Sequence, residues 1–199
     1  MTSNTDFEDE IEEIVYSAQE IAQAIEGMAL RIGQDYAGQP LVLLGVLKGA
    51  LCLTADLTRA LIRIPQRPSS ITVDFTEVSS YGNARRSSGQ IRLERDMEVN
   101  IAGQKVVIVE DIVEGGLTLQ HLQTLCRMRQ PKSLRPCVLL DKPHNRRVDL
   151  TVHYLGLTVP DAYIVGYGLD YQEKYRHLPY LAKLRSQVFS PVRSSKAIG

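Results

Sequence analysis

Three continuous apolar runs restrict the fold more than any other feature of the sequence. They cover residues 41–46, 106–109 and 137–140. A strand that is apolar along its whole length is buried on both faces, which is typical of the parallel strands of α/β proteins. Shorter strand patterns cover residues 71–78, 91–93 and 163–165.

Helical patterns separate these strands. Ser17 and Glu20 form an S-x-x-E capping box, and apolar residues then recur at helical spacing until Gly38 ends the pattern. Residues 52–62 have the same periodicity, and a third helical pattern runs through Leu117, Leu122 and Leu125. The alternation predicts an α/β fold in which helices cover both faces of a mostly parallel central sheet.

Length and charge limit the class of protein. A chain of 199 residues predicts a single domain, with a core at about 11–184 and a loosely held polar tail at 185–199. Lys plus Arg equals Asp plus Glu at 23 each, so no net positive charge would attract nucleic acid or an anionic membrane. Residues 1–13 are acidic and do not fit a signal peptide, and no apolar run approaches membrane-spanning length. We therefore expect a cytoplasmic protein with neither nucleic-acid nor membrane partners.

A polar segment follows the strand pattern at 71–78. Residues 79–89 are rich in Ser and Gly, and the segment is too long for a tight hairpin. We interpret this segment as a mobile flap.

The turn after the second apolar strand carries the most distinctive chemistry. Glu110 and Asp111 are adjacent carboxylates that can bind a sugar diol or contribute to a magnesium site. Gly115 and Gly116 let backbone N–H groups surround an anion at the start of the next helix, where Thr118 adds a hydroxyl. The pattern predicts a ligand with both a ribose and a phosphate. Acidic residues and glycines in such a turn are also common as plain capping and turn residues.

Several segments resemble one family. Residues 107–113, VIVEDIV, together with Gly116-Leu117-Thr118-Leu119, resemble the signature with which type I phosphoribosyltransferases bind phosphoribosyl pyrophosphate (PRPP). Leu47-Lys48-Gly49-Ala50 is similar to the pyrophosphate loop of that family. The flexible loop of hypoxanthine-guanine phosphoribosyltransferases resembles Val78-Ser79-Ser80-Tyr81-Gly82. The purine-binding segments of that subfamily resemble residues 139–143 and 160–171. The resemblance extends over about residues 11–184.

The resemblance implies a fold and a reaction. The fold is that of type I phosphoribosyltransferases, with a small hood and a flexible active-site loop beside the central sheet. The reaction joins hypoxanthine or guanine to the ribose 5-phosphate of PRPP and releases pyrophosphate, with Mg²⁺ as the cofactor. Because family members are commonly dimers or tetramers, a homodimer or homotetramer is expected.

The resemblance also implies roles for individual residues. It assigns the PRPP ribose to Glu110 and Asp111, and the 5′-phosphate to Glu114, Gly115, Gly116, Leu117 and Thr118. Pyrophosphate is assigned to Lys48, Gly49 and Arg176, and the purine to Lys142, Tyr163, Ile164 and Asp170. Glu110, Asp111 and Asp170 would contribute to metal binding, and the flexible loop contains Ser79, Ser80, Tyr81 and Gly82. An ammonium at Lys142 would donate to O6 of a 6-oxopurine and repel the amino group of adenine.

One turn departs from the family pattern. The family usually has Asp, then Thr or Ser, then Gly where this chain has Glu114-Gly115-Gly116. Glu114 keeps the carboxylate of the usual general base on a longer arm, so we predict that it is the catalytic base. The hydroxyl absent at Gly115 predicts somewhat weaker PRPP binding. A catalytically weak nucleotide-sensing regulator and an enzyme that prefers xanthine are the alternatives.

Overall fold

The fold is described for residues 7–80 and 91–189 by a computed structural model. Its strands, in chain order, are β1 (Ile11–Tyr16), β2 (Pro40–Leu47), β3 (Ser70–Ser80), β4 (Ile91–Arg95), β5 (Lys105–Val113), β6 (Ser133–Asp141), β7 (Tyr154–Thr158), β8 (Ile164–Val165) and β9 (Leu181–Leu184). Its helices are α1 (Ala18–Tyr36), α2 (Leu51–Arg63), α3 (Leu117–Arg127) and the single-turn α4 (Ser186–Phe189).

The central sheet has six strands in the order β4-β3-β2-β5-β6-β7. All neighbouring strands are parallel except β4, which is antiparallel to β3. The three apolar runs form β2, β5 and β6, and their residues Leu43, Val107 and Leu139 are fully buried. They are buried because helices and loops cover both faces of the sheet. The predicted α/β fold with a mostly parallel sheet is thus confirmed.

Helices cover the two faces of this sheet. Ser17 caps α1, since its hydroxyl accepts a hydrogen bond from the Glu20 N–H at 3.3 Å and the Glu20 carboxylate accepts one from the Ser17 N–H at 2.8 Å. The predicted capping box is therefore confirmed. Two helices, α1 and α2, bury apolar residues in one core cluster, and α3 buries Leu119 and Leu122 in a second. No helix in the described residues is long and apolar enough to cross a membrane.

A second, three-stranded sheet has the order β1-β9-β8 and corresponds to the small hood that the resemblance implies. Its strands come from both ends of the described chain, with Ile11 opposite Leu184. Arg185 continues this contact, because its backbone N–H donates to the Glu10 carbonyl at 3.0 Å. Residues 185–189 of the predicted tail therefore contact the hood, and residues 190–199 lie outside the described residues.

The predicted flap begins inside a strand. Ser79 and Ser80 are the last residues of β3 and pair with β4, so this strand extends two residues beyond its predicted end at Val78. The other flexible-loop residues, Tyr81 and Gly82, lie outside the described residues.

Candidate active site

A cavity of about 750 Å³ lies at the carboxyl end of β5. Its wall is formed by the end of β5, the turn that follows, the start of α3 and the segment after β6. The lining residues are Glu110 and residues 112–119 and 144–147. Ligands of α/β proteins bind at this edge of a parallel sheet, where the loops that follow neighbouring strands meet.

The turn between β5 and α3 has a geometry suited to an anion. Gly116 has a φ of +85°, in the left-handed region that favours glycine, and it is the N-cap of α3. A glycine at the N-cap offers no side-chain acceptor to the first N–H groups of the helix, which are therefore available to a ligand. Every residue predicted to hold the 5′-phosphate lines the cavity, namely Glu114, Gly115, Gly116, Leu117 and Thr118. Their binding of phosphate stays a prediction.

The adjacent carboxylates Glu110 and Asp111 face different surroundings, as consecutive strand residues do. The Glu110 side chain lines the cavity with only 7% of its surface exposed, and its Oε2 atom has no hydrogen-bond partner among the described residues. The Asp111 carboxylate lies against Gly49, where an added Cβ atom would overlap it. Burial raises the pKa of Asp111 to about 6, although the positive charge of Arg176 acts to lower it.

The predicted metal residues fit a divalent cation that is held mainly by its substrate. Among residues 7–80 and 91–189, no group of three or more His, Cys, Asp or Glu side chains forms a metal-binding cluster. Mg²⁺ commonly uses one or two protein carboxylates and takes its other ligands from substrate phosphates and water. The unpartnered Glu110 oxygen suits that mode, as do the Asp111 carboxylate and that of Asp170, whose charge is close enough to raise the pKa of Asp111.

The residues predicted to bind pyrophosphate lie near one another on two loops. The peptide bond between Leu47 and Lys48 is cis. The Glu173 carboxylate contacts both the Lys48 ammonium at 3.2 Å and the Arg176 guanidinium at 3.4 Å. Arg176 also pairs with Asp170 at 2.7 Å and donates to the Gly168 carbonyl at 2.8 Å. Two cations therefore lie around one carboxylate, an arrangement in which pyrophosphate oxygens could replace Glu173.

The Gly49 turn packs tightly against the loop that carries Arg176. A Cβ atom added at Gly168 would overlap the carbonyl oxygen of Gly49, and Gly168 has a φ of +100°. Only glycine satisfies both the close approach and the positive φ at this position. The two glycines thus hold Lys48, Asp111 and Arg176 in one region.

The residues that are predicted to bind the purine lie near Glu114. The Lys142 ammonium forms an ion pair with the Glu114 carboxylate at 2.5 Å, and its side chain is only 7% exposed whereas that of Glu114 is 50% exposed. Tyr163 contacts Tyr171 edge to face with ring centroids 5.2 Å apart. Burial raises the pKa of Tyr163, as do the nearby charges of Asp170 and Glu114.

Ile164 lies next to Tyr163 in β8, where it is buried and pairs with Lys183 of β9. The structure therefore brings the predicted base, the predicted O6 donor and the predicted stacking residue into one region. Their roles toward a purine stay predictions.

Comparison with known proteins identifies the family. A sequence model described as phosphoribosyl transferase domain matches residues 12–172. A hypoxanthine-guanine phosphoribosyltransferase from Bacillus subtilis is 39% identical over 180 residues, which is 90% of this chain and 97% of the relative. The enzyme of that name from Dictyostelium discoideum is 40% identical over 178 residues, which is 89% of this chain and 97% of the relative. The chain belongs to the hypoxanthine-guanine phosphoribosyltransferase family. The crystal structure of a hypoxanthine phosphoribosyltransferase from Staphylococcus aureus superposes with a TM-score of 0.85 at 35% identity, covering 94% of this chain and 99% of that one.

This phosphoribosyltransferase has cavity residues that sequence reasoning missed. Arg146 pairs with the Asp141 carboxylate at 2.5 Å and donates to the Glu114 carbonyl at 2.9 Å. The Arg147 backbone N–H donates to the Gly115 carbonyl at 2.9 Å. The sequence signal for these two residues is their adjacency shortly after Lys142, because neighbouring guanidinium groups are suited to binding an anion.

Glu110 makes the stability of the metal-free phosphoribosyltransferase dependent on pH. Burial, assisted by the charge of Asp111, raises the pKa of Glu110 from 4.5 to about 8. Between these values the folded protein holds a proton that the unfolded chain has released, so stability falls as the pH rises. We expect the melting temperature in EDTA to fall, relative to that of Glu110→Gln, as the pH rises from about 5 to about 8. If the difference in melting temperature between the unmodified protein and Glu110→Gln does not change with pH, this expectation is wrong.

Proposed function

We propose that this phosphoribosyltransferase joins hypoxanthine or guanine to the ribose 5-phosphate of PRPP and releases pyrophosphate. The observation that carries this proposal is the buried Lys142 ammonium beside Glu114, at the edge of a cavity whose backbone suits a phosphate. A buried cation at the purine end favours a base with an acceptor at position 6. Adenine places an amino group there and would leave the ammonium unpaired.

Charge separation dictates the mechanism. The bond between C1′ of the ribose and the pyrophosphate oxygen breaks, the lone pair of purine N9 forms the new bond to C1′, and the proton on N7 is lost. The ribose approaches an oxocarbenium ion while the leaving group gains negative charge, so catalysis is mainly electrostatic and positional. Lys48, Arg176 and the N–H of Gly49 receive the pyrophosphate in this scheme. Glu110 and Asp111 hold the ribose hydroxyls, and a bound divalent cation would favour the ionised form of both carboxyl groups, which stabilises the cationic sugar.

Enzymes of this family use a divalent metal, and we propose Mg²⁺ for this one. When bound, the cation would neutralise negative charge on the pyrophosphate leaving group. Asp111 and Asp170 would face it, directly or through water, and the unpartnered oxygen of Glu110 provides a further acceptor.

Glu114 is the proposed general base. The Glu114 carboxylate and the Lys142 ammonium neutralise each other at 2.5 Å. A 6-oxopurine can enter between them, because it accepts from Lys142 through O6 and donates to Glu114 through N7–H. The ring would stack on Tyr163, whose aromatic face suits a flat base. Removal of the purine proton then leaves Glu114 neutral beside a product that carries the new glycosidic bond.

The flap would exclude water during this step. An exposed oxocarbenium-like centre would react with water rather than with the purine. We propose that the predicted flexible-loop residues Ser79, Ser80, Tyr81 and Gly82 help to exclude water from the bound substrates.

We also propose a cytoplasmic homodimer or homotetramer. Leu51 and Ile62 are exposed apolar residues about three turns apart on one face of α2, and such a face is suited to a second copy of the chain. Size-exclusion chromatography with light scattering tests the oligomeric state, and a monomer at micromolar concentration would contradict it.

A time course with PRPP, Mg²⁺ and hypoxanthine tests the proposed reaction. We expect inosine monophosphate and pyrophosphate to appear in equal amounts, and EDTA to abolish both. One specific observation favours another function: Glu114 and Gly115 replace the usual residues of the phosphate loop. If the protein binds inosine monophosphate but forms none, it is a nucleotide-sensing regulator instead.

A further inference from the structure

Arg147 lies beside Gly115, the position in the turn between β5 and α3 where the family usually has Thr or Ser. Its backbone N–H donates to the carbonyl of Gly115, and its Cδ and Cγ atoms lie 3.3 and 3.5 Å from where a Cβ atom of residue 115 would be. The aliphatic part of Arg147 therefore occupies the space beside the glycine. We propose that Arg147 binds the 5′-phosphate of PRPP and replaces the hydroxyl that is absent at Gly115. This inference rests on the proposed function.

The segment that carries Arg147 is fixed against the turn. The preceding Arg146 pairs with Asp141 and donates to the Glu114 carbonyl, so both of its terminal nitrogens are engaged. The Asn145 N–H donates to the Lys142 carbonyl at 3.1 Å. These contacts and the bond from the Arg147 N–H to Gly115 fix the backbone up to Arg147, whose side chain lines the cavity.

The Arg147 guanidinium is available for a ligand. It forms no ion pair or side-chain hydrogen bond within the part of the chain that the structure describes, and its side chain is exposed at the cavity. Two other charged side chains of the cavity already have partners, because Arg146 is engaged with Asp141 and Glu114 pairs with Lys142. A guanidinium can bind two phosphate oxygens at once, so it would add to the N–H groups at the start of α3.

The geometry makes the two positions interdependent. A side chain at residue 115 would contact the stem of Arg147 directly, because the added Cβ atom would lie 3.3 Å from Cδ and the stem would have to shift slightly. A serine at position 115 would restore a hydroxyl donor to the phosphate and would shift the Arg147 stem that contacts it. The effects of changing both residues should therefore not add.

Calorimetry with ribose 5-phosphate tests this inference, because that probe contains the 5′-phosphate but neither pyrophosphate nor base. We expect Arg147→Ala to weaken its binding about tenfold, the usual loss for a hydrogen bond to a charged group. In a Gly115→Ser background the same replacement should weaken binding less than threefold. Arg147→Lys should recover part of the loss. With hypoxanthine, Arg147→Ala should raise the KM for PRPP and leave kcat nearly unchanged, because the 5′-phosphate is remote from the bond that breaks.

Arg63→Ala is the matched control. Arg63 is an exposed arginine in the last turn of α2, toward the opposite edge of the sheet, and its replacement should not change binding. Equal losses from Arg147→Ala in the two backgrounds, or no loss in either, would overturn the inference. If the unmodified protein forms inosine monophosphate while Arg147→Ala binds ribose 5-phosphate normally, only this inference fails. If the unmodified protein binds neither PRPP nor ribose 5-phosphate, the proposed function fails with it.

Discussion

Replacing Lys142 with alanine should lower kcat/KM for hypoxanthine by roughly 10²-fold, the loss typical when one partner of a buried charged pair is removed. The Lys142 ammonium is almost fully buried and has the Glu114 carboxylate 2.5 Å away. Its removal takes away the donor to O6 and leaves Glu114 without a counter-charge. PRPP binding in the absence of base should stay near normal, because no proposed PRPP contact includes the Lys142 side chain. Steady-state kinetics and calorimetry measure the two effects separately.

Lys132→Ala is the control for this substitution. Lys132 is an exposed lysine that immediately precedes β6, whereas Lys142 immediately follows it. The control should retain activity and discrimination between bases. Loss of PRPP binding in Lys142→Ala would instead place this lysine at the phosphoribosyl end of the site.

Glu114→Gln should lower kcat by about 10²-fold, the usual contribution of a general base, with a smaller effect on the KM for PRPP. Glutamine retains the length of the side chain and can still contact Lys142, but it cannot accept the purine proton. Glu114→Asp should retain turnover, because it keeps the carboxylate and restores the residue that is usual in the family. Turnover against pH at saturating substrate provides the measurement.

Glu98→Gln serves as the control for the loss of a carboxylate. Glu98 is an exposed residue whose carboxylate pairs with Arg95 at 3.1 Å, away from the cavity lining. Unchanged turnover in Glu114→Gln would exclude Glu114 as the base.

The central sheet could be predicted because its strands are buried on both faces and are therefore apolar at every position, as in β2, β5 and β6. The strands of the hood could not be predicted from such a pattern. Its strand β1 has the sequence IEEIVY, and β9 has four residues, so neither shows a clean apolar run or alternation. They pair with each other from distant parts of the chain. β7 was also missed, because its five residues, YLGLT, are too few to show a clean apolar run or alternation.

The phosphate turn could be predicted because its chemistry lies within one contiguous segment. Lys142 and Arg176 were located by their resemblance to family segments, and the structure places each beside its own acidic neighbour. Glu173 and Arg147 were missed, because their proximity to Lys48 and Gly115 depends on how separate loops fold together. A local pattern carries no information about such contacts.

The most direct test of the account is a competition among purine bases. Hypoxanthine, guanine, xanthine and adenine are mixed in equal amounts with limiting PRPP and Mg²⁺, and the nucleoside monophosphates are quantified by mass spectrometry. We expect inosine and guanosine monophosphates and essentially no adenosine monophosphate, because the Lys142 ammonium requires an acceptor at position 6. A dominant xanthosine product would keep the mechanism but change the preferred base. Adenosine monophosphate in amounts comparable to inosine monophosphate would contradict the account.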